Sequence, residues 1–303
     1  MQELCSAAAA EGRSNACLKR EMPRHMIRKD FHIHSRFSTD SEAAPEAVCE
    51  AAIARGLTEI CFTDHQDMGF EDPGWFRFDP EAYFKELEAV KRAYAGRLEV
   101  HIGMELGLIP DDVRIAREAE ALARDWPWEF IIGSTHLIPV DIGGRRYFAD
   151  PADPAQARRV WHHFGSVREL ISRYYETVLK NLEQFDCFDT LGHLDYMSRY
   201  VPQELPPYRY EDHAEQIDRI LRTLIRKGLA LELNTGGLYK GKGKTNPEER
   251  LLRRYFELGG RRLSYGSDAH RPEQLGYGFE ALDFEESGSG PWGVRKNHLR
   301  QEQ

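Results

Sequence analysis

Seven short runs rich in β-branched and aromatic residues recur along the chain, and helical patterns separate most of them. The runs are KDFHIHS (29–35), TEICFTDH (58–65), LEVHIGMEL (98–106), EFIIGSTHL (129–137), FDTLGHLD (188–195), LALELNT (229–235) and RRLSYGSDAH (261–270). Between them, residues 46–56, 80–94, 111–125, 166–184, 211–228 and 246–260 place apolar side chains at the 3.6-residue helical period. In PEAYFKELEAVKRAY, for example, Tyr83, Phe84, Leu87 and Val90 fall near one stripe. A strand followed repeatedly by a helix predicts a parallel sheet covered by helices. Seven such units approach a βα barrel, read here as one domain over residues 29–285. Residues 1–28 read as a polar, poorly ordered leader, with Met26 an alternative start, and residues 286–303 as a loose tail.

The ends of these runs carry the chemistry. His32 and His34 stand two apart, so on a strand both side chains point the same way, with Asp30 in the same phase. His65 ends the second run after Asp64, Glu105 the third, His136 the fourth and His193 the fifth. Asp268 and His270 end the seventh, again two apart, while the sixth ends in Asn234-Thr235 and supplies no such residue. Six of the 12 histidines therefore fall at strand ends. In a parallel barrel those ends converge on one mouth, where active sites of this architecture sit. Clustered imidazoles and carboxylates are what divalent zinc, iron or manganese requires, and without metal such a cluster is costly to bury.

The other histidines read differently. His101 is in phase with Glu105 but lower in the barrel, and His162 and His163 sit in a long connection (137–165) of the kind that builds lids or substrate walls. His25, His213 and His298 read as solvated. The glycine-rich basic run GLYKGKGKTNP (237–247) is either a lid over an anionic substrate or a solvated turn. A net charge of -9 disfavours nucleic acid as a partner but not a small anion beside metal ions. Five cysteines (Cys5, Cys17, Cys49, Cys61, Cys187), an odd number without a C-x-x-C pair, suit a reducing cytoplasm, and no apolar run is long enough to span a membrane.

In this order, the motifs DFHIHS (30–35), TDH (63–65), GMEL (103–106), STH (134–136), GHLD (192–195) and SDAH (267–270) resemble the PHP (polymerase and histidinol phosphatase) family of metallohydrolases. The run LELNTGGL (231–238) and Arg199, just after GHLDYM, resemble its histidinol-phosphatase branch. The resemblance implies a distorted (β/α)7 barrel with a trinuclear metal centre. Carried over motif by motif, one ion would be held by His32, His34, Glu105 and Asp268. Glu105 would bridge to a second ion on His136 and His193, and a third would take His65, His270 and Asp40, where some relatives have histidine. A hydroxide bridging the metals would attack a phosphate monoester, with L-histidinol phosphate the implied substrate and histidine biosynthesis the implied role. Arg199 would clamp the phosphate bidentately, and Asp30, Asp64 and Asp195 would orient the imidazoles. Two alternatives stay open: another phosphoester, such as a phosphotyrosyl peptide or a nucleotide, and a non-catalytic metal-binding module.

Overall fold

The computed structural model describes residues 27–282 apart from 71–73, 144, 149–153 and 202–204. Met26, His25, His298, Cys5, Cys17 and the tail read at 286–303 lie outside the described residues, as does all but the end of the leader. From β1 (Lys29–Ile33) the chain runs through α1 (Pro45–Ala54) into β2 (Glu59–Phe62) and, two residues later, β3 (His65–Asp67). Helix α2 (Pro80–Tyr94) leads to β4 (Glu99–Gly107), and α3 (Val113–Asp125) to β5 (Phe130–Ser134). A hairpin of β6 (Pro139–Ile142) and β7 (Arg145–Phe148) follows, then α4 (Pro154–Phe164) and α5 (Val167–Gln184). Strand β8 (Thr190–Leu191), α6 (Ala214–Lys227), β9 (Ala230–Asn234), the short α7 (Gly236–Tyr239), α8 (Glu249–Glu257) and β10 (Leu263–Gly266) complete the fold.

The main sheet has the order β1-β2-β4-β5-β8-β9-β10, with every neighbouring pair parallel and β3 extending the second strand along β4. The seven predicted runs are the seven staves of a distorted (β/α)7 barrel. Two runs depart from prediction: the fifth is strand only at Thr190–Leu191, and the second, residues 58–65, is broken at Thr63-Asp64. There the Thr63 amide donates to the Ile33 carbonyl (2.8 Å) and its hydroxyl accepts from the Ile33 amide (3.0 Å), taking the place of regular ladder bonds. The Asp64 carbonyl then accepts from the Glu105 amide, and the strand resumes at His65, opposite Glu105.

Sequence chemistry accounts for the helices. Side chains of Asp79, Asp112 and Ser166 cap α2, α3 and α5 by accepting from first-turn amides. Gly228 ends α6 at φ 68, a left-handed position that costs glycine little. The stripe of Tyr83, Phe84, Leu87 and Val90 is buried as its spacing requires, as are Ile217, Ile220, Leu221 and Leu224 of α6. His213, read as solvated, is instead buried at the start of α6, its ring stacked on Tyr208 (centroids 5.7 Å apart). The long connection is built from the β6–β7 hairpin and α4, and His162 and His163 face solvent on that helix.

Inside the barrel, Phe31, Cys61, Phe130 and Ile132 form a small apolar plug. Below it His101 lies between Glu59 (3.0 Å) and Glu129 (3.4 Å); burial works against its charge, but those carboxylates raise its pKa. The ring is closed at the mouth: the Asp268 amide donates to the His32 carbonyl (2.9 Å) and the His34 amide to the Ala269 carbonyl (2.8 Å). Buried Asp30 seals this seam, accepting from the Ser267 amide (2.9 Å), the Ser267 hydroxyl (2.5 Å) and the Gly276 amide (2.9 Å). Among the described residues no helix is long and apolar enough to cross a membrane. Asp30→Ala would strand these buried donors, at about 1–3 kcal/mol for each one left unsatisfied. We expect a clearly lowered midpoint in urea unfolding, and an unchanged midpoint would contradict the seam.

Candidate metal centre

The predicted metal ligands all reach the carboxyl ends of the barrel strands, but by different routes. His32 lies within β1 and His34 one residue beyond it, while Glu105 stands inside the long β4. His65 arrives only because the second strand breaks and restarts. His136 and His193 each stand two residues past the end of a strand, and Asp268 and His270 belong to the turn after β10. Asp268 adopts φ 56, a left-handed conformation that aspartate tolerates better than most residues. Asp40 comes from the turn after β1 and is the most exposed member, at 42%.

Glu105 is the hub. Its Oε1 accepts from the Ser134 hydroxyl (2.6 Å) and lies beside Nε2 of His136 (3.1 Å) and His193 (2.9 Å). Its Oε2 faces Nε2 of His32 (3.2 Å) and His34 (3.6 Å) and Nδ1 of His65 (3.0 Å). Asp268 Oδ1 stands 3.6 Å from His34 Nε2 and 3.9 Å from His32 Nε2. On the outer side, Asp40 Oδ2 lies 3.0 Å from His270 Nε2 and 3.9 Å from His65 Nε2.

These spacings fit divalent ions. Ligands at about 2.0–2.2 Å around a tetrahedral ion stand roughly 3.3–3.6 Å from one another. The Nε2 atoms of His32 and His34 are 3.1 Å apart, and those of His136 and His193 3.3 Å. His65 Nδ1 is buried and, among the described residues, makes no hydrogen bond despite its closeness to Glu105, as expected of two ligand atoms aimed at a shared cation. Among the described residues, three sets at this mouth could each hold an ion: His32, His34 and Glu105; His65, Glu105 and His136; and His34, His65 and His270. The last two differ from the expected grouping, because His65 approaches Glu105 and His34 faces His270, their rings stacked 4.1 Å apart.

The residues that orient the imidazoles are largely not the predicted ones. Glu232 Oε1 holds His32 Nδ1 at 2.5 Å, and its Oε2 accepts from the His193 amide at 2.6 Å. Asp67 Oδ1 holds His136 Nδ1 at 2.8 Å, and its Oδ2 lies 3.2 Å from His65 Nδ1. Of the predicted trio, Asp64 acts at one remove: it accepts from Ser38, whose hydroxyl touches His34 Nδ1 (3.0 Å). Among the described residues Asp30 and Asp195 contact no imidazole nitrogen, the first sealing the seam and the second accepting from Asn246 and the Glu248 amide. Glu232 did have a signal, being an acid in the otherwise apolar strand LALELN and in phase with Asn234. Asp67 lies beyond the last residue of its predicted strand, where spacing gave no direction.

Arg199 is buried. Its Nε donates to Asn246 Oδ1 and its Nη2 to Asn234 Oδ1 (3.1 Å). Among the described residues its Nη1 has no hydrogen-bond partner, and it lies 3.7 Å from Asp268 Oδ2.

The charges are mutually dependent. Burial acts against ionisation of Glu105, yet His32, His136 and His65 hold its pKa well below the usual carboxylate range. Burial likewise opposes charge on His32, but Glu232 and Glu105 hold it well above the histidine range. Asp67 and Glu105 do the same for His136, and Glu105 and Asp67 carry His65 up to about 10 against burial. Burial, reinforced by neighbouring imidazoles, keeps His34 well below its usual value.

A parallel barrel with a buried nest of histidines and carboxylates at the carboxyl ends of its strands defines a class, that of βα barrels with a candidate metal centre at the mouth. Residues 30–236 match the PHP domain family, to which the chain belongs. The match stops short of Asp268 and His270, which the fold returns to the same site. Histidinol-phosphatase from Lactococcus lactis subsp. lactis (strain IL1403) is 32% identical, over 81% of this chain and 85% of that one. Histidinol-phosphatase from Bacillus subtilis (strain 168) is 24% identical, over 85% and 98%. The crystal structure of the Lactococcus lactis histidinol phosphate phosphatase, complexed with zinc, L-histidinol and phosphate, superposes with a TM-score of 0.67 at 30% identity, covering 81% of this chain and 87% of that one. A putative histidinol phosphatase from Listeria monocytogenes shares the fold, with a TM-score of 0.74 at 20% identity over 84% and 99%.

Two outcomes follow from this geometry. Glu232→Gln removes the carboxylate behind His32 and is expected to weaken metal affinity about 10–100-fold. Competition with a chromophoric chelator measures this, and an unchanged affinity would remove Glu232 from the centre. Raised pKa values keep His32, His65 and His136 protonated in the metal-free protein until the pH exceeds them, so an incoming ion must displace protons. Zinc added near neutral pH should therefore acidify a weakly buffered solution, and apparent affinity should climb as pH rises.

Proposed function

We propose that the chain is a metal-dependent phosphomonoesterase that hydrolyses L-histidinol phosphate to L-histidinol and phosphate, in histidine biosynthesis in the cytoplasm. The observation that carries this reading is the convergence of His32, His34, His65, His136, His193 and His270 with Asp40 and Asp268 around buried Glu105. In this reading residues 29–285 form one catalytic barrel, and the centre takes up to three ions of zinc, iron or manganese. His32, His34, Glu105 and Asp268 would hold one ion, Glu105, His136 and His193 a second, and His65, His270 and Asp40 a third. Bound divalent ions neutralise phosphate charge and acidify water, to a pKa of about 7 in favourable sites.

The chain's own residues do the rest. Glu105 stays ionised in the barrel and so can serve two ions at once. Glu232 and Asp67 fix the direction of His32 and His136 through the nitrogen remote from Glu105. Arg199 is fixed by Asn234 and Asn246 with Nη1 left open, an arrangement suited to a phosphoryl oxygen. Its cost of ordering is met before substrate binds.

The test is phosphate release from L-histidinol phosphate, a phosphotyrosyl peptide and a nucleotide, with zinc, manganese or iron supplied singly. L-histidinol phosphate should be preferred, and the gene should complement a histidine auxotroph. Activity no greater than that of His32→Ala/His34→Ala would refute catalysis. Preference for another ester without complementation would move the substrate assignment. Stripping the metal with a chelator should abolish turnover and lower the melting temperature, since ligands that bind only the folded state stabilise it.

A further inference from the structure

The run at 237–247 is neither a free turn nor a detached lid. Its first turn, α7, lies against Asp268: a Cβ on Gly236 would come within 2.9 Å of Asp268 Oδ2, and one on Gly237 within 2.2 Å of the Lys244 carbonyl. Only glycine allows this approach, and it delivers two side chains to the same residue. The Tyr239 hydroxyl donates to the Asp268 carbonyl, and Lys240 Nζ lies 3.1 Å from Asp268 Oδ2.

Asp268 thereby has two differently used oxygens. Oδ1 faces His32 and His34, while Oδ2 faces Lys240 and, at 3.7 Å, the open Nη1 of Arg199. Two cations thus share one carboxylate oxygen whose partner oxygen is turned toward the candidate metals. They differ in mobility. Arg199 is buried and tied by two asparagines, whereas Lys240 is a third exposed (34%) and carries its charge on a rotatable four-carbon stem. Because the ammonium end of this part-buried pair still reaches solvent, the lysine can be exchanged from Asp268 to a doubly charged ligand.

We propose that Lys240 is a second phosphate-binding cation, resting on Asp268 until a phosphate monoester bridges it and Arg199. This rests on the phosphomonoesterase reading and names the residue that would complete its anion subsite. A phosphate dianion placed there would satisfy Arg199 Nη1 and draw Lys240 off Asp268, leaving Oδ1 directed at the centre. The simpler role, in which Lys240 only steadies Asp268, gives a different experimental pattern.

The experiment compares wild type, Lys240→Met, Lys240→Gln and Lys240→Arg, each loaded with zinc and checked for fold by circular dichroism. Calorimetry gives the Kd of inorganic phosphate, kinetics gives KM and kcat on L-histidinol phosphate, and chelator competition gives zinc affinity. A charge-assisted hydrogen bond lost to either neutral variant should raise the phosphate Kd and KM roughly 10-fold or more, with zinc affinity unchanged and Lys240→Arg recovering much of the loss. An unchanged phosphate Kd, or a fall in zinc affinity alone, overturns the proposal and makes Lys240 an anchor of Asp268. If phosphate binding depends on Lys240 but no phosphomonoester is hydrolysed, the anion site stands and the catalytic reading fails. If hydrolysis is normal in both neutral variants, only the Lys240 proposal fails.

Discussion

A single carboxylate, Glu105, sets the terms for the rest of the molecule. It is buried in the barrel, and an isolated charge in such a place costs several kcal/mol. Ionisation is sustained because imidazole nitrogens surround both of its oxygens. Those imidazoles come from β1, from β3 and from the turns after β5 and β8. Electrostatics at the centre therefore requires the strands to meet around β4, and the parallel ring is the arrangement that lets them do so.

The surrounding residues turn a charge cluster into an ordered one. Glu232 and Asp67 leave His32 and His136 one free nitrogen each, aimed at Glu105. Ser38 does the same for His34 while answering to Asp64, so the turn after β1 is tied to the break in the second strand. Arg199 and Asp268 extend this order to the rim, where Asn234 and Asn246 prevent the guanidinium from collapsing onto the carboxylate. Removing the metal does not remove this scaffold, because its hydrogen bonds run between side chains.

Much of this was legible in the sequence. Seven runs and their phase gave the barrel, and His32, His34, Glu105, Asp268 and their partners could be assigned to one mouth because parallel strand ends must converge. What stayed hidden depends on through-space direction. Asp30, in phase with His32, reads as a partner of imidazoles, yet its carboxylate turns to Ser267 across the ring seam, a contact spanning the full length of the barrel sequence. Glu232 stands out as an acid in an apolar strand, but its target, His32, is defined only once β9 is placed between β8 and β10. The β6–β7 hairpin was invisible because its register depends on pairing across a turn rather than on periodicity. His213 looked solvated for the opposite reason: polarity says nothing of a stacking partner such as Tyr208.

Ring closure by the Asp268–Ala269 turn onto β1 has a consequence for biosynthesis of the protein. The first histidines leave the ribosome long before the last carboxylate, and the hydrogen bonds from Asp268 and to Ala269 join the two ends. A nascent chain that has not yet emitted this turn lacks the bonds that close the ring and one side of the centre. Closure of the cylinder and assembly of the ligand set thus coincide, and a chain truncated before this turn would be deprived of both together.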